Sequence, residues 1–467
     1  MMAHSGNPTL EPGTTLGWHI RRTLELALPI IVARAAFLVM ALVDTLMTGW
    51  VSARELAYLG LGLSSQIFLM LIGIGALQAV AVLVAQAVGR GKAGECGAVL
   101  RAGLVHGGLY GLLIMAASGL AGPFFLAIGE EPGLAHGASQ VAGAFAWGMP
   151  ALLMFTACNY ALEATGRPQI GMAIMIGVNI LNIPLNGIFA LGWGGLVEPM
   201  GATGAVDTSS ALRWVGLLAI LAFYRFDLTR HGDPYRIAVA RPFRTAFAEA
   251  IGPIGRRLIR IGLPMGLAQG IESGAFASMT MIAGLIGAAG LAIHHITMTL
   301  TSLVYMMALG MMAATAIRVG NAVGRGDRTG IVRAGWTGIG LGAVVALVPT
   351  AIFLAFPTAL AGVFTKDPAV LAYAETTLRV AGLMLVFDAM MGISIGALRG
   401  AGDVWPAFFF QIAAFWGLSI PLAWYLAIGL GTGPAGLIGG IFAGVVLSLS
   451  MLAPRFRIIS RRPIDRI

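Results

Sequence analysis

Long runs without a charged residue recur along the 467-residue chain, separated by short stretches rich in arginine and glycine. Residues 67–86, 334–356 and 408–428 are three such runs. Each is close to the ~20 residues that a helix needs to cross a hydrocarbon layer about 30 Å thick. The runs do not alternate polar and apolar residues, as strands of a membrane barrel would. Without water to bond the backbone, helices are the expected structure. The pattern predicts an all-α polytopic membrane protein. Its twelve spans fall at 25–50, 58–86, 104–128, 139–165, 168–194, 204–224, 257–285, 291–317, 335–358, 371–398, 406–430 and 434–454. The longest polar stretch divides the chain into an N-terminal six-helix lobe at 1–224, a cytoplasmic linker at 225–256, and a C-terminal six-helix lobe with a basic tail at 257–467.

The two halves repeat. Val84, Ala87, Val88, Gly89, Arg90 and Gly91 recur 235 residues later as Val319, Ala322, Val323, Gly324, Arg325 and Gly326. The same offset pairs Pro29 with Pro264, Gly49 with Gly284 and Ala57 with Ala292. With one residue inserted, Ala161, Leu162 and Gly166 match Ala397, Leu398 and Gly402. Six helices is an even number, so both halves enter the membrane in the same orientation. The expected relation is a pseudo-two-fold axis along the membrane normal, with alternating access between the lobes.

Composition agrees with lipid as the solvent: 58% of residues are hydrophobic and 10% charged, against roughly 25% charged in a soluble domain. The 66 glycines let membrane helices approach closely. The net charge of +9 does not signal nucleic acid. With these spans, all but five of the 29 basic residues fall on one side, in clusters such as 90–101, 225–260, 318–333 and 455–466. The exceptions are Arg34, Arg54, Arg213, Lys366 and Arg379. By the positive-inside rule the basic side, with both termini, is cytoplasmic. The expected location is a bacterial inner membrane. Two cysteines give no disulfide framework, and no nucleotide or HExxH metal motif is evident.

Acids at bilayer depth are costly and point to function. Asp44 lies in the first span, Glu272 in the seventh and Asp388 in the tenth. Their repeat partners are Met279, Phe37 and Leu152, so the scaffold itself does not require acids there. In a low-dielectric setting a carboxylate can exchange a proton, or it can hold Na+ through hard oxygens. Cation binding would then favour one conformation and substrate binding the other. Asn179, Asn182 and Asn186 share one face of the fifth span around Pro184, as cation-supporting or substrate-cleft groups or as interhelical hydrogen bonders. Glu163 and Asp207 sit near span ends as structural groups. His294 and His295 open the eighth span near the outer surface, where interfacial placement is expected.

Several motifs together resemble the multidrug and toxic compound extrusion (MATE) family. They are Val43-Asp44-Thr45-Leu46-Met47-Thr48-Gly49; Gly262-Leu263-Pro264 with Ile271-Glu272-Ser273-Gly274; AIHHI at 292–296; IRVGNAVGRG at 317–326; and Phe387-Asp388 leading to GALRGAG at 396–402. The resemblance spans nearly the whole chain. It implies two six-helix lobes and export of small, cationic, amphipathic compounds by Na+ or H+ antiport. In the NorM-like branch, acids at Glu272 and Asp388 form the cation site, Na+ included, and Asp44 matches the first-lobe acid. Where the DinF-like branch has an Asp on the fifth helix, this chain has Asn186. No cofactor is implied beyond the coupling ion. The partners are small-molecule substrates and the bilayer, with no nucleic acid, and the chain is expected to be a monomer. The alternatives are a flippase for lipid-linked precursors, with Arg34 and Arg213 as its basic groups, and a membrane-embedded enzyme, for which no clustered catalytic set appears.

Overall fold

The computed structural model describes residues 15–195, 197–233, 235 and 243–462, without the side chains of 227–231 and 243. The far ends of both termini, Arg236, Arg241 and Arg466, and the side chain of Arg230 lie outside the described residues. Twelve long helices follow one another. They are α1 (Leu16–Val51), α2 (Ala53–Gly89), α3 (Ala93–Ser118), α4 (Pro132–Ala164), α5 (Pro168–Phe189), α6 (Gly201–His231), α7 (Pro253–Ile286), α8 (Ala288–Arg325), α9 (Arg328–Ala355), α10 (Pro368–Ala401), α11 (Val404–Gly429) and α12 (Gly433–Ser460). α4 is interrupted at Trp147 and Gly148, and α11 contains π-helical turns at Ile412–Ser419 and Tyr425–Gly429.

Most helices extend beyond the apolar runs that announce them, because a helix continues into polar residues once it leaves the hydrocarbon. α3, α5 and α9 instead end early, and short helices Ala121–Ala127 and Pro357–Gly362 follow α3 and α9. The second break falls at Phe356, the residue before a proline, which is driven out of helical geometry. Among the described residues, eleven of the twelve long helices are apolar enough to cross a membrane. α7 has the length, but Arg256, Arg257, Arg260, Gln269 and Glu272 make it more polar.

The repeat survives in three dimensions. α2 and α8 begin 235 residues apart, as do α3 and α9; α4 and α10 begin 236 apart. Gly91 and Gly326 end α2 and α8 with φ of 70° and 73°, left-handed values that a side chain disfavours. Beyond them Lys92 N–H donates to Ala87 O and Asp327 N–H to Ala322 O, both at 3.0 Å, closing the same helix stop in each half.

The chain forms two compact units. One is Val32–Gly266; the other joins Leu267–Ile467 to the first 31 residues. The divisions fall inside α1 and α7, two residues beyond Pro29 and Pro264, at repeat-equivalent positions. Each unit therefore holds five whole helices of one half, the later part of that half's first helix, and the opening segment of the other half's first helix. In the first unit the opening of α7 lies on α2: a Cβ on Gly266 would stand 2.7 Å from Ile72 O. In the second, α8 meets the opening of α1 at Gly310, whose Cβ would stand 3.1 Å from Ala27 O and Ile31 N. Arg318 strengthens that second contact. Its guanidinium donates to His19 O at 2.8 Å, to the Thr23 hydroxyl and to His19 Nδ1, under the Trp18 ring. Arg101, Arg318 and Arg399, assigned by sequence to the cytoplasmic side, are thus buried within helices. Arg101 makes a two-pronged pair with Glu249 of the short helix Phe243–Ile251 at 2.6 and 2.7 Å.

Candidate functional site

In the second unit, α7, α8 and α10 bring Glu272, Tyr305 and Asp388 together. Glu272 is buried. Its Oε1 accepts a bond from Tyr305 Oη at 3.4 Å, and the guanidinium of Arg399 lies within electrostatic reach. Glu272 and Asp388 act on each other as like charges, and Tyr305 feels both. Asp388 lines a small, water-sized cavity of about 20 Å³, walled by Tyr305, Met307, Met311, Pro349 and Leu385. The pair of acids expected from sequence is therefore one local cluster, with one member lining that cavity. Trp416, in a π-helical turn of α11, donates to Ile271 O at 3.0 Å and fixes the α7 backbone beside Glu272. A π-bulge next to a functional group is a common placement.

In the first unit, Asp44 of α1 is buried and heavily bonded. Its Oδ1 accepts from Asn182 Nδ2 at 3.2 Å and from Asn186 Nδ2 at 2.7 Å; its Oδ2 meets Ser209 Oγ of α6 at 2.5 Å. Asn182 also donates to Ser209 Oγ at 3.0 Å. The amide nitrogens can only donate, so Oδ1 is an acceptor in every state. A proton taken up by Asp44 would sit on Oδ2, against the Ser209 hydroxyl. Asn179, grouped with Asn182 and Asn186 by spacing, turns away and donates to Met175 O of its own helix at 2.8 Å. Arg213 is an electrostatic neighbour of Asp44 and is itself held by Phe145, bonding the carbonyl at 3.2 Å and lying 4.0 Å from the ring centroid.

Glu163 is buried, as expected for a structural acid. It accepts from Asn159 at 2.7 Å and pairs with Arg34 at 3.5 Å, while Arg34 lies over the Tyr160 ring. Asp207 accepts from Trp147 Nε1 at 2.9 Å. The two histidines part company: His295 is exposed, whereas His294 is fully buried against α7. Tyr305, Ser209 and Arg399 were missing from the sequence reading of the sites. Helical spacing identifies neighbours on one helix, and these three approach the acids from other helices. The repeat held one usable signal: Arg399 stands opposite Glu163, so the two halves carry opposite charges at one equivalent position.

The MatE family profile matches residues 29–188 and 264–425. The chain belongs to the MatE family. The two matched segments begin at Pro29 and Pro264, the repeat-equivalent prolines. The chain is 33% identical over 443 residues to Probable multidrug resistance protein NorM of Caulobacter vibrioides, covering 94% of this chain and 91% of that protein. Its fold is similar to that of the eukaryotic MATE transporter AtDTX14, with a TM-score of 0.85 at 18% identity over 97% of this chain and 99% of the other. It is likewise similar to the Vibrio cholerae MATE transporter VcmN in the bent form, with a TM-score of 0.82 at 17% identity over 96% and 98%. The MatE chain is thus a membrane-spanning member of a transporter family, with the twelve-helix, two-lobe fold of MATE transporters.

Proposed function

We propose that this MatE protein exports small, lipophilic organic cations from a bacterial cell by antiport with H+ or Na+, through alternating access. The observation that carries the reading is the Glu272–Tyr305–Asp388 cluster, with Asp388 lining a small cavity. An acid in that place serves no packing need, because its repeat counterpart is Leu152, and that of Glu272 is Phe37. A cation arriving from outside neutralises one of the two carboxylates and so relieves their mutual repulsion. Substrate binding favours the opposite conformation, and the two ligands compete through one conformational equilibrium. Asp44, with its three donors, is a second carboxylate able to change charge within the membrane. The export role is supported by the similarity to a multidrug resistance protein, and the inner-membrane location with cytoplasmic termini by the arginine distribution. Arg34 and Arg213, the basic groups a lipid-pyrophosphate flippase would use, are engaged by Glu163 and Phe145.

The test is efflux of ethidium from proteoliposomes under separately imposed H+ and Na+ gradients. Glu272→Gln and Asp388→Asn are expected to reduce gradient-driven transport by at least about tenfold while the purified proteins remain monodisperse. Unimpaired transport in both variants rejects the assignment.

A further inference from the structure

The short helix Phe243–Ile251 lies between the sixth and seventh spans and is held on the opening turns of α3. Glu249 makes its two-pronged pair with Arg101, Ala250 is buried, and Gly97 N–H of α3 donates to Tyr235 O of the linker at 3.2 Å. Its other face is open. Arg244, Phe247 and Ile251, spaced i, i+3 and i+7, fall on one side of the helix and are exposed. Phe247 and Ile251 are 43% and 63% exposed. Apolar side chains exposed within the spans meet hydrocarbon. These two lie outside the spans, so the hydrocarbon core does not account for them.

Gly252 turns the chain directly from this helix into α7. Its N–H donates to Ala248 O at 2.9 Å, and its carbonyl accepts from Arg256 N–H at 3.0 Å. A Cβ on Gly255 would overlap Ala250 O, so the corner between the two helices is too tight for a side chain there. The first turns of α7 then present Arg256, Arg257 and Arg260, all exposed and spaced i, i+1 and i+4 along one face, while Leu258 and Ile261 are buried. Among the described residues none of Arg244, Arg256, Arg257 and Arg260 pairs with an acid. The one acid of the short helix, Glu249, is taken by Arg101. The corner therefore joins an uncovered apolar face to four uncompensated positive charges.

A nucleic acid or an acidic protein surface would use the arginines and leave Phe247 and Ile251 in water. A neutral lipid would cover the apolar face and leave the arginines without counter-charge. Helices lying in a membrane interface gain from both sources, buried apolar area and attraction to anionic lipid. We propose that this corner is a docking surface for anionic phospholipid, in the cytoplasmic leaflet on the topology given above. Phe247 and Ile251 enter the boundary between headgroups and acyl chains, and the four arginines hold the lipid phosphates. The opening of α7 is thereby tied to the membrane surface.

The experiment uses full-length Phe247→Cys with bimane on the introduced thiol, reconstituted in vesicles; native Cys96 and Cys158 are buried. Brominated phosphatidylglycerol is expected to quench the label at a mole fraction at least about tenfold lower than brominated phosphatidylcholine. That preference is expected to shrink as ionic strength rises. The added substitutions Arg244→Gln, Arg256→Gln and Arg257→Gln together are expected to abolish it. Equal quenching by the two lipids overturns the proposal, as does a preference unchanged in the triple variant. Absence of quenching by either lipid means that the face meets protein or water, and also overturns it. A preference lost to inorganic phosphate at constant ionic strength identifies a free-anion site and overturns it as well. If Phe247→Cys does not fold, Ile251→Cys carries the label under the same criteria. If the triple variant does not fold, Arg244→Gln alone is expected to lower the preference about fivefold, and an unchanged preference there rejects the proposal. None of these readouts involves transport, so their failure leaves the reading of Glu272 and Asp388 untouched.

Discussion

At the scale of single residues, the two units treat their acids differently. Asp44 is wrapped by three side-chain donors, whereas Glu272 has one long bond from Tyr305 and Asp388 lines a small cavity. Asp44→Asn would turn one acceptor oxygen into an amide and set NH2 groups against each other or orphan a buried donor. The expected loss is about 1–3 kcal/mol of stability, read as a lower unfolding midpoint of the purified protein. The identities of all three acids were legible from sequence, because a charge within an apolar run needs no structure to be noticed. Their partners were not, because Ser209 lies 165 residues from Asp44 and Tyr305 lies 33 from Glu272. Only the packing of different helices brings such pairs together. Asn186 shows the middle case. Its helix face was readable, but its bond to Asp44 depends on where α1 runs.

At the scale of elements, apolar runs located every long helix and misplaced their ends. Hydropathy marks the hydrocarbon, while helix stops are set by local chemistry such as the left-handed glycines. Gly326 illustrates this, with Asp327 N–H bonded back to Ala322 O beyond it. Gly326→Ala would force a Cβ into left-handed geometry at a cost of about 1–2 kcal/mol, which thermal unfolding would register. The arginines are a second lesson. The positive-inside rule sorts them by side and is silent on burial, and Arg101, Arg318 and Arg399 lie inside helix packing. α11 is a third: nothing in its apolar run marks the π-helical turns that carry Trp416 to Ile271 O.

At the scale of the whole molecule, the repeat was plain in the sequence as a constant offset, and it reappears in helix starts and stops. The exchange of opening segments was not legible, because nothing in the chain marks which unit a stretch of helix will join. It becomes visible only through contacts such as Gly266 on α2 and Arg318 on the first turns of α1. The consequence is one of assembly. A ribosome finishing the first half has made all of Val32–Gly232 but not the α7 segment that completes that body, and a fragment from 243 onward lacks the amino-terminal strip that Arg318 grips. Expressed separately, fragments 1–232 and 243–467 are expected to be degraded or to aggregate; expressed together, to yield a co-purifying pair. Stable accumulation of either fragment on its own would show that the borrowed strips are dispensable.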